Sequence, residues 1–219
     1  MDHIKNIYCI GRNYTDHVKE LNNEMPDQPL IFSKPTHALT QAKNNLITLP
    51  GSQGAVDHEV EIVLEIDRAY EAGLSVDDLV SNMYVGLDLT LRDKQQNLKH
   101  SGLPWLLSKG FKNSAILSQA LKFPTEATLR DKAFSLKVND KVVQTGKINQ
   151  MTFSLNTMIH YVAGYLGLRK GDLIFTGTPA GVGPLNNADQ LQLIYDHEVI
   201  SQCEIKIEKT ETNVLNPKS

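Results

Sequence analysis

The length, composition and charge of the chain exclude several classes of protein. Its 219 residues are 41% hydrophobic and 21% charged, which is ordinary for a globular protein with a full core. A formal net charge of −3 gives no electrostatic reason to expect nucleic acid or an anionic membrane as a partner. No apolar run approaches the ~20 residues that span a bilayer, and the N-terminus lacks the apolar segment of a secretory signal. We therefore expect one cytoplasmic domain over residues 1–219, with loose ends at 1–3 and 210–219.

The predicted secondary structure consists mainly of short strands. Residues 4–10 are predicted to form a strand that ends at Gly11, and Thr15 or Asp16 is predicted to cap a helix that begins near His17. Further strands are predicted at 30–32, 56–66, 84–91, 134–138, 141–144, 173–175, 190–195 and 203–207, with a hairpin turn at 139–140. A helical turn is predicted at 77–82, and the clearest helix at 154–166, just before Gly167. Many short strands with few helices predict a β-rich α+β fold rather than an alternating β-α-β one.

Two carboxylates alternate along the apolar segment His58-Glu59-Val60-Glu61-Ile62. In a strand, Glu59 and Glu61 share one face about 7 Å apart, whereas residues two apart on a helix diverge. The β-branched content of the segment favours the strand. Two buried carboxylates at this spacing repel each other and lose hydration, and a bound cation removes both penalties. The alternative is an exposed sheet face whose acids meet lysines.

The segment 86–92 repeats this alternation, with Asp88, Thr90 and Arg92 on one face and leucines on the other. Together with the two glutamates, Asp88 completes a hard, oxygen-only set that contains no cysteine and no evident histidine ligand. Such a set favours Mg²⁺ or Mn²⁺, allows Ca²⁺ and disfavours zinc. His58 lies in the same region, but strand alternation points it away from both glutamates.

A polar segment at residues 11–20 contains a histidine and a glutamate three residues apart. If a helix begins at Asp16, His17 and Glu20 are neighbours on its surface. A carboxylate beside an imidazole fixes the tautomer and raises the basicity of the ring, as a general base for water requires. The alternative is a solvated pair in the first turn of a surface helix.

One lysine, Lys109, lies in apolar company in the segment 104–111. A lysine in such a setting can stabilise an enolate or a substrate carboxylate. The alternative is a lysine whose stem packs on apolar surface while its ammonium reaches water.

A glycine-rich segment follows the strand predicted at 173–175. It lacks the Gly-Lys-Ser/Thr of a phosphate-binding loop and does not open a helix within a β-α-β unit, so nucleotide binding is disfavoured. Close approach of its backbone to a ligand and a plain tight turn both remain open.

Taken together, these segments resemble the fumarylacetoacetate hydrolase superfamily, and more closely its small single-domain members related to acylpyruvate hydrolases. The resemblance extends from residue 7 to about residue 206, and the motifs occur in the order typical of the family. The matching motifs are Gly11-Arg12-Asn13-Tyr14 with His17, Phe32-Ser33-Lys34-Pro35, His58-Glu59-Val60-Glu61, Asp88-Leu89-Thr90 with Arg92-Asp93, Gly102-Leu103-Pro104-Trp105 with Lys109, and Thr176-Gly177-Thr178-Pro179 with Gly181-Val182-Gly183.

The resemblance implies a mixed β-sandwich roll, usually dimeric, and a role for each matching residue. It implies that Glu59, Glu61 and Asp88 bind the metal. It also implies that His17 with Glu20 activates water on a segment that orders over the ligand, and that Lys109 lies beside the developing enolate. Residues expected to contact the metal-bound substrate are Arg12, Gln95 and Thr178. The short N-terminal arm, without a separate domain, argues against fumarylacetoacetate hydrolase itself.

The resemblance implies a reaction on a small 2-oxo acid. The reaction we expect first is hydrolysis of an acylpyruvate-type 2,4-dioxo acid, in which the C3–C4 bond breaks to give pyruvate and a carboxylic acid. Oxaloacetate decarboxylation and the tautomerisation or isomerisation of 2-hydroxymuconate-type diacids proceed through the same enolate and are alternatives. A more remote alternative is a non-catalytic binding module that uses the cation only for stability.

Overall fold

The structure, a computed structural model, describes residues 1–20 and 24–208, and strands dominate it. The tail predicted at 210–219 lies outside the described residues. At the other end, the ring nitrogen Nε2 of His3 lies 2.9 Å from Glu65 Oε1. The strands are β1 Asn6–Gly11, β2 Leu30–Lys34, β3 Leu39–Gln41, β4 Asn45–Pro50, β5 Val56–His58, β6 Val60–Ile66, β7 Val80–Asp88, β8 Thr90–Leu91, β9 Ala115–Leu117, β10 Leu121–Lys122, β11 Phe134–Val138, β12 Lys141–Gly146, β13 Asp172–Phe175, β14 Gly183–Pro184, β15 Gln190–Tyr195 and β16 Glu198–Glu208. The α-helices are α1 Thr15–Glu20, α2 Val76–Leu79, α3 Arg92–His100, α4 Leu106–Lys109, α5 Glu126–Leu129 and α6 Leu155–Leu166, and short 3-10 turns lie at Thr36–Ala38 and Ile148–Gln150.

Two large sheets enclose the core. The first has the strand order β2-β1-β13-β6-β7-β9-β3, with β10 beside β7, and the second has the order β12-β11-β15-β16-β4. Both contain parallel and antiparallel pairs. Their inward side chains form one apolar cluster, in which Leu64 and Val85 of the first sheet lie with Leu136 and Leu193 of the second. The β-rich, mixed sandwich expected from the sequence is confirmed.

The strand predicted at 56–66 is interrupted at Glu59. β5 pairs with β8 and β14 in a small third sheet, whereas β6 runs through the middle of the first sheet with every residue buried. At the junction, the Glu59 carbonyl accepts a hydrogen bond from Asp88 N–H at 2.8 Å, and Val60 N–H donates to Gln144 Oε1 at 3.0 Å. Because a side-chain amide satisfies the backbone here, the chain passes from one sheet to the other without an unpaired buried N–H.

Several other predicted elements differ only in their bounds. The helical turn predicted at 77–82 ends at Leu79, because the chain then pairs in β7, where Asn82 lies opposite Lys122. The predicted strand 84–91 is likewise interrupted at Leu89, whose N–H donates to the Ser114 carbonyl at 2.8 Å. The hairpin turn is confirmed, with positive φ values of 47° at Asn139 and 68° at Asp140.

The long helix α6 has the ends that the sequence predicts. The Oγ of Ser154 accepts a hydrogen bond from Thr157 N–H at 3.1 Å, which caps the first turn. Gly167 follows the last turn with a φ of 74°, a conformation that favours glycine. In the part of the chain that the structure describes, neither this helix nor any other combines the length and apolarity needed to cross a membrane.

Candidate active site

Three buried carboxylates meet where the first and third sheets join. Glu59 lies between β5 and β6, Glu61 lies on β6, and Asp88 ends β7, which pairs with β6 so that Glu61 faces Gly86. One carboxylate oxygen from each lies within 4.8 Å of the others. The three predicted ligands therefore converge. His58 points away from them, as the alternation predicts, with its Nδ1 2.9 Å from Gln144 Oε1.

The ammonium of Lys109 lies between two of these carboxylates. Its Nζ is 2.7 Å from Glu59 Oε2 and 2.6 Å from Asp88 Oδ2. Burial disfavours the charged form of Lys109, but Asp88 and Glu59 outweigh burial and hold its pKa above the usual value. Lys109 is therefore a buried cation paired on both sides, and its stem does not extend to water.

Arg92 supplies a second cation that sequence reasoning placed on the correct face without giving it a role. Its Nε donates to Asp57 Oδ2 at 2.7 Å, its Nη2 to Glu59 Oε1 at 2.6 Å and its Nη1 to Gln95 Oε1 at 2.8 Å. Burial raises the pKa of Glu59, but Lys109 and Arg92 outweigh it and bring the pKa below the ordinary value. Glu59 is thus ionised and held from two sides.

Lys34 is a third buried cation, and nothing in its own segment singles it out beyond the motif in which it lies. Its Nζ is 2.7 Å from Asp88 Oδ1 and donates to the carbonyls of Leu89 at 3.2 Å and Ser114 at 3.0 Å. It also donates to the carbonyl of Lys109. Lys34 therefore ties the end of β2 to Asp88 and to the backbone of Leu89, Lys109 and Ser114.

Glu61 differs from the other two carboxylates in its surroundings. Its Oε2 accepts a hydrogen bond from Gly177 N–H at 2.7 Å, but it forms no ion pair with a lysine or arginine of the described residues. Burial, and then the charges of Asp88 and Glu59, raise its pKa well above the usual value. A further positive charge at this position would stabilise the ionised form of Glu61.

The donor set fits a hard divalent cation. Asp88 Oδ1 is buried and accepts no hydrogen bond from the described residues, because the Lys34 donors are directed at backbone carbonyls. That oxygen has the Lys34 ammonium at 2.7 Å, the carboxylate of Glu61 has no cation partner among the described residues, and all three candidate ligands are carboxylates. Mg²⁺ and Mn²⁺ prefer such oxygen ligands.

His17 and Glu20 form the predicted pair on α1. His17 Nδ1 lies 3.3 Å from Glu20 Oε2, and the other carboxylate oxygen of Glu20 accepts a hydrogen bond from Gly181 N–H at 3.0 Å. Burial lowers the pKa of His17 below 6.5, although Glu59 and Glu20 partly oppose this. The imidazole is therefore neutral at pH 7 and able to accept a proton.

The glycine-rich loop supplies backbone donors to this site. Gly177 N–H binds Glu61, and Gly181 N–H binds Glu20. Gly181 has a φ of +101°, and a Cβ there would lie 2.3 Å from the Val143 carbonyl oxygen. The loop backbone therefore approaches Val143 closely and binds two carboxylates of the site, and its close approach to a ligand stays a prediction.

All of the predicted site residues except Glu20 line one cavity. Glu20 contacts the cavity-lining residue His17. Arg12 has a φ of 59°, and its buried Nε has no hydrogen-bond partner among the described residues. The hydroxyl of Thr178 donates to the Val60 carbonyl at 2.8 Å and accepts from Gln144 Nε2 at 2.9 Å, which leaves one acceptor position free. Further lining residues, to which the sequence assigned no role, include Phe32, Arg92, Lys99 and Trp105.

Comparison with known proteins places this site in a family. Residues 6–215 match the family model described as fumarylacetoacetate (FAA) hydrolase C-terminal. The chain belongs to the fumarylacetoacetate hydrolase superfamily. It is an enzyme of this superfamily, and the resemblance stated from the sequence is confirmed.

Relatives of this superfamily member cover nearly the whole chain. The mitochondrial oxaloacetate tautomerase of Mus musculus is 37% identical over 207 residues, which are 92% of each protein. The oxaloacetate tautomerase YcgM of Escherichia coli is 36% identical and covers 88% of this chain and 89% of its own. The crystal structure of fumarylpyruvate hydrolase from Pseudomonas aeruginosa in complex with Mn²⁺ and pyruvate has a TM-score of 0.86 at 28% identity, covering 94% of this chain and 91% of that one. A cytoplasmic location and a homodimer remain predictions for this superfamily member.

Proposed function

We propose that the chain is a divalent-metal-dependent enzyme of small 2-oxo acids and that its principal reaction is keto–enol tautomerisation of oxaloacetate. The observation that carries this proposal is the convergence of three buried carboxylates with Lys109 and His17 in one cavity. Relatives that are named as oxaloacetate tautomerases and cover most of the chain support this choice of reaction. Acylpyruvate hydrolysis, the reaction expected first from the sequence, is the second candidate.

Glu59, Glu61 and Asp88 would hold the divalent ion. When bound, Mg²⁺ or Mn²⁺ acts as a Lewis acid toward the 2-oxo group of the substrate. The presence of Mn²⁺ and pyruvate in the crystal structure of the P. aeruginosa fumarylpyruvate hydrolase supports both the ion and the substrate class.

His17 is the proposed base. Because burial keeps the imidazole neutral, it can accept a proton from C3 of the 2-oxo acid. The electron pair of the broken C–H bond then forms the C2–C3 double bond, and negative charge develops on the 2-oxo oxygen. Return of the proton to that oxygen gives the enol, and return to C3 gives the keto form.

Lys109 is the proposed electrostatic partner of the developing charge. It lines the same cavity, and its pairing with Glu59 and Asp88 keeps it protonated. Since these two carboxylates fix the ammonium in advance, little reorganisation is needed when the enolate forms.

Hydrolysis is retained because of one specific contact, the hydrogen bond between Glu20 and His17. A base oriented in this way can take a proton from a water that adds to the 4-oxo carbon of an acylpyruvate. The C3–C4 bond then breaks, the pyruvate enolate takes up a proton, and the products are pyruvate and a carboxylic acid. Oxaloacetate decarboxylation would use the same enolate but needs no water.

The proposal is tested by supplying both substrates to the purified protein with Mg²⁺ and with excess chelator. Loss of oxaloacetate enol is followed by its ultraviolet absorbance, and pyruvate release from oxaloacetate and acetylpyruvate is followed in parallel, against metal-containing buffer without protein. We expect metal-dependent tautomerisation to exceed both pyruvate-forming reactions. Faster pyruvate release from acetylpyruvate would replace tautomerisation with hydrolysis, and rates equal to the buffer in all assays would refute the proposal.

A further inference from the structure

Lys99 is a cation of the cavity to which neither the sequence nor the proposed chemistry gives a role. It lies on the last turn of α3 and lines the cavity together with Arg12 and Trp105. Its Nζ lies 5.0 Å from the centroid of the Trp105 ring, a distance typical of a cation–π contact. Lys99 is half-buried whereas Lys109 is buried, so Lys99 lies on the more open side of the cavity.

Three cations around the carboxylates are each paired with at least one carboxylate, whereas Lys99 is paired with none among the described residues. Lys34 pairs with Asp88, Lys109 with Asp88 and Glu59, and Arg92 with Glu59 and Asp57. Within residues 1–20 and 24–208, Lys99 has no carboxylate within ion-pair distance. Burial, and then repulsion from Arg12, Arg92 and Lys109, lower the pKa of Lys99 to about 8. An anion placed among these groups would therefore be stabilised by several positive charges.

A second cation on this side of the cavity is also incompletely satisfied. The guanidinium of Arg12 donates through Nη1 to the Glu24 carbonyl at 3.2 Å, but its buried Nε has no partner among the described residues. A ligand whose first carboxylate and 2-oxo group lie at the metal end leaves these two cations facing its distal end. A distal acyl group without charge leaves both uncompensated, whereas a distal carboxylate compensates them.

We propose that Lys99, assisted by Arg12, is the specificity-determining residue that selects 2-oxo acids with a second carboxylate over those with a neutral distal group. The inference rests on the proposed function, because the metal end of the cavity must take the first carboxylate and its neighbouring oxygen. Trp105 holds the Lys99 ammonium in place through its ring face.

The test compares two stable ligands that differ by one carboxylate. Malate and lactate share a 2-hydroxy acid group, and only malate has the second carboxylate. Binding of each to the Mg²⁺-loaded protein is measured by calorimetry, so the result does not depend on turnover. We expect malate to bind at least about tenfold more tightly than lactate, as a partly desolvated charge pair permits.

The decisive variant is Lys99→Met, which keeps the apolar stem against Trp105 but removes the charge. It should bring malate to within about threefold of lactate while lactate affinity stays within about twofold of wild type, because only the charge pair is lost. Lys99→Arg should retain the preference for malate. Lys94→Met is the matched control on the same helix, since Lys94 Nζ donates to Gln53 Oε1 at 3.0 Å and does not line the cavity.

Equal affinity of the wild type for malate and lactate would overturn the inference, and so would a Lys99→Met variant that weakens both ligands equally. The fate of the proposed reaction is separate. A protein that does not tautomerise oxaloacetate but loses its malate preference on Lys99→Met would refute the reaction and support the role of Lys99. A protein that tautomerises oxaloacetate and shows no malate preference would support the reaction and refute the role of Lys99.

Discussion

The carboxylate of Glu20 accepts a hydrogen bond from the backbone N–H of Gly181 at 3.0 Å, across 161 positions of sequence. Its other oxygen lies 3.3 Å from His17 Nδ1. Glu20 therefore connects α1 to the glycine-rich loop and orients the proposed base in the same interaction. This double contact holds His17 in the cavity that the three carboxylates line, and it can be tested one contact at a time.

The first prediction separates these two contacts of Glu20. Glu20→Gln retains an acceptor for Gly181 N–H but removes the charge beside His17, whereas Glu20→Ala removes both. We expect kcat/KM for oxaloacetate to fall by about tenfold in Glu20→Gln and further in Glu20→Ala, since a charged hydrogen bond is worth roughly 1.5–3 kcal/mol. Equal losses in the two variants would contradict a separate contribution from the loop contact.

The second prediction concerns the pH dependence of His17. Only the neutral imidazole accepts a proton, and burial lowers the pKa of His17, so kcat/KM should stay constant near pH 7 and fall only below pH 6.5. Glu20 raises the pKa of His17, so Glu20→Gln should move this acid limb to lower pH. A pH profile of kcat/KM measures both. An acid limb of kcat/KM at the same pH in Glu20→Gln as in the wild type would show that a group other than His17 titrates.

His17→Ala extends the second prediction by testing the base directly. Loss of a general base typically costs ~10²-fold or more in rate, and we expect kcat to fall by that factor. Mn²⁺ affinity should stay within about threefold of wild type, because His17 is not among the proposed ligands. Unchanged turnover by this variant would remove His17 from the mechanism.

The third prediction concerns Glu61, the carboxylate without an ion pair. Glu61→Gln removes the charge and one ligand oxygen but still accepts the hydrogen bond from Gly177 N–H. We expect Mn²⁺ affinity, measured by electron paramagnetic resonance, to fall at least about tenfold with little loss of folding stability. Glu198→Gln, on the exposed end of β16, is the control and should bind Mn²⁺ as the wild type does. Equal Mn²⁺ affinity in both variants would exclude Glu61 as a ligand.

The fourth prediction concerns Gln144, which holds the junction between β5 and β6. Its Oε1 lies 3.0 Å from Val60 N and 2.9 Å from His58 Nδ1, and its Nε2 donates to Thr178 Oγ1 at 2.9 Å. Gln144→Leu leaves these buried groups unpaired and should lower the free energy of unfolding by about 2–4 kcal/mol in denaturant titrations. Gln192→Leu is the control, because the one side-chain hydrogen bond of Gln192 among the described residues is an exposed 3.4 Å contact with Gln202. Equal stability of the two variants would contradict the role of Gln144.

The sequence predicted those parts of the site that depend on local pattern or on family motifs. The alternation of Glu59 and Glu61 predicted two carboxylates on one side of the chain, and they converge although the strand is interrupted at Glu59. The pairing of His17 with Glu20 likewise needs only one helical turn. The resemblance then supplied the link between these segments and Lys109, which lies 50 positions from Glu59.

The parts that were missed depend on contacts between distant segments. The Arg92 contact with Asp57 and the Lys34 contact with Asp88 join segments that are far apart in the sequence, and neither Arg92 nor Lys34 stands out in its own segment. The interruption at Glu59 depends on Gln144, 84 positions away from Val60. Local propensity cannot predict where a strand changes sheets when a distant amide replaces the missing ladder partner.

The most direct test of the metal centre is a Mn²⁺ titration of chelator-treated protein, with bound ion and oxaloacetate tautomerisation followed in the same sample. We predict a single tight site per chain, with tautomerase activity that rises in proportion to its occupancy and is absent in Glu61→Gln at the same Mn²⁺ concentration. Full tautomerase activity before any Mn²⁺ is bound would contradict a catalytic role for the three carboxylates.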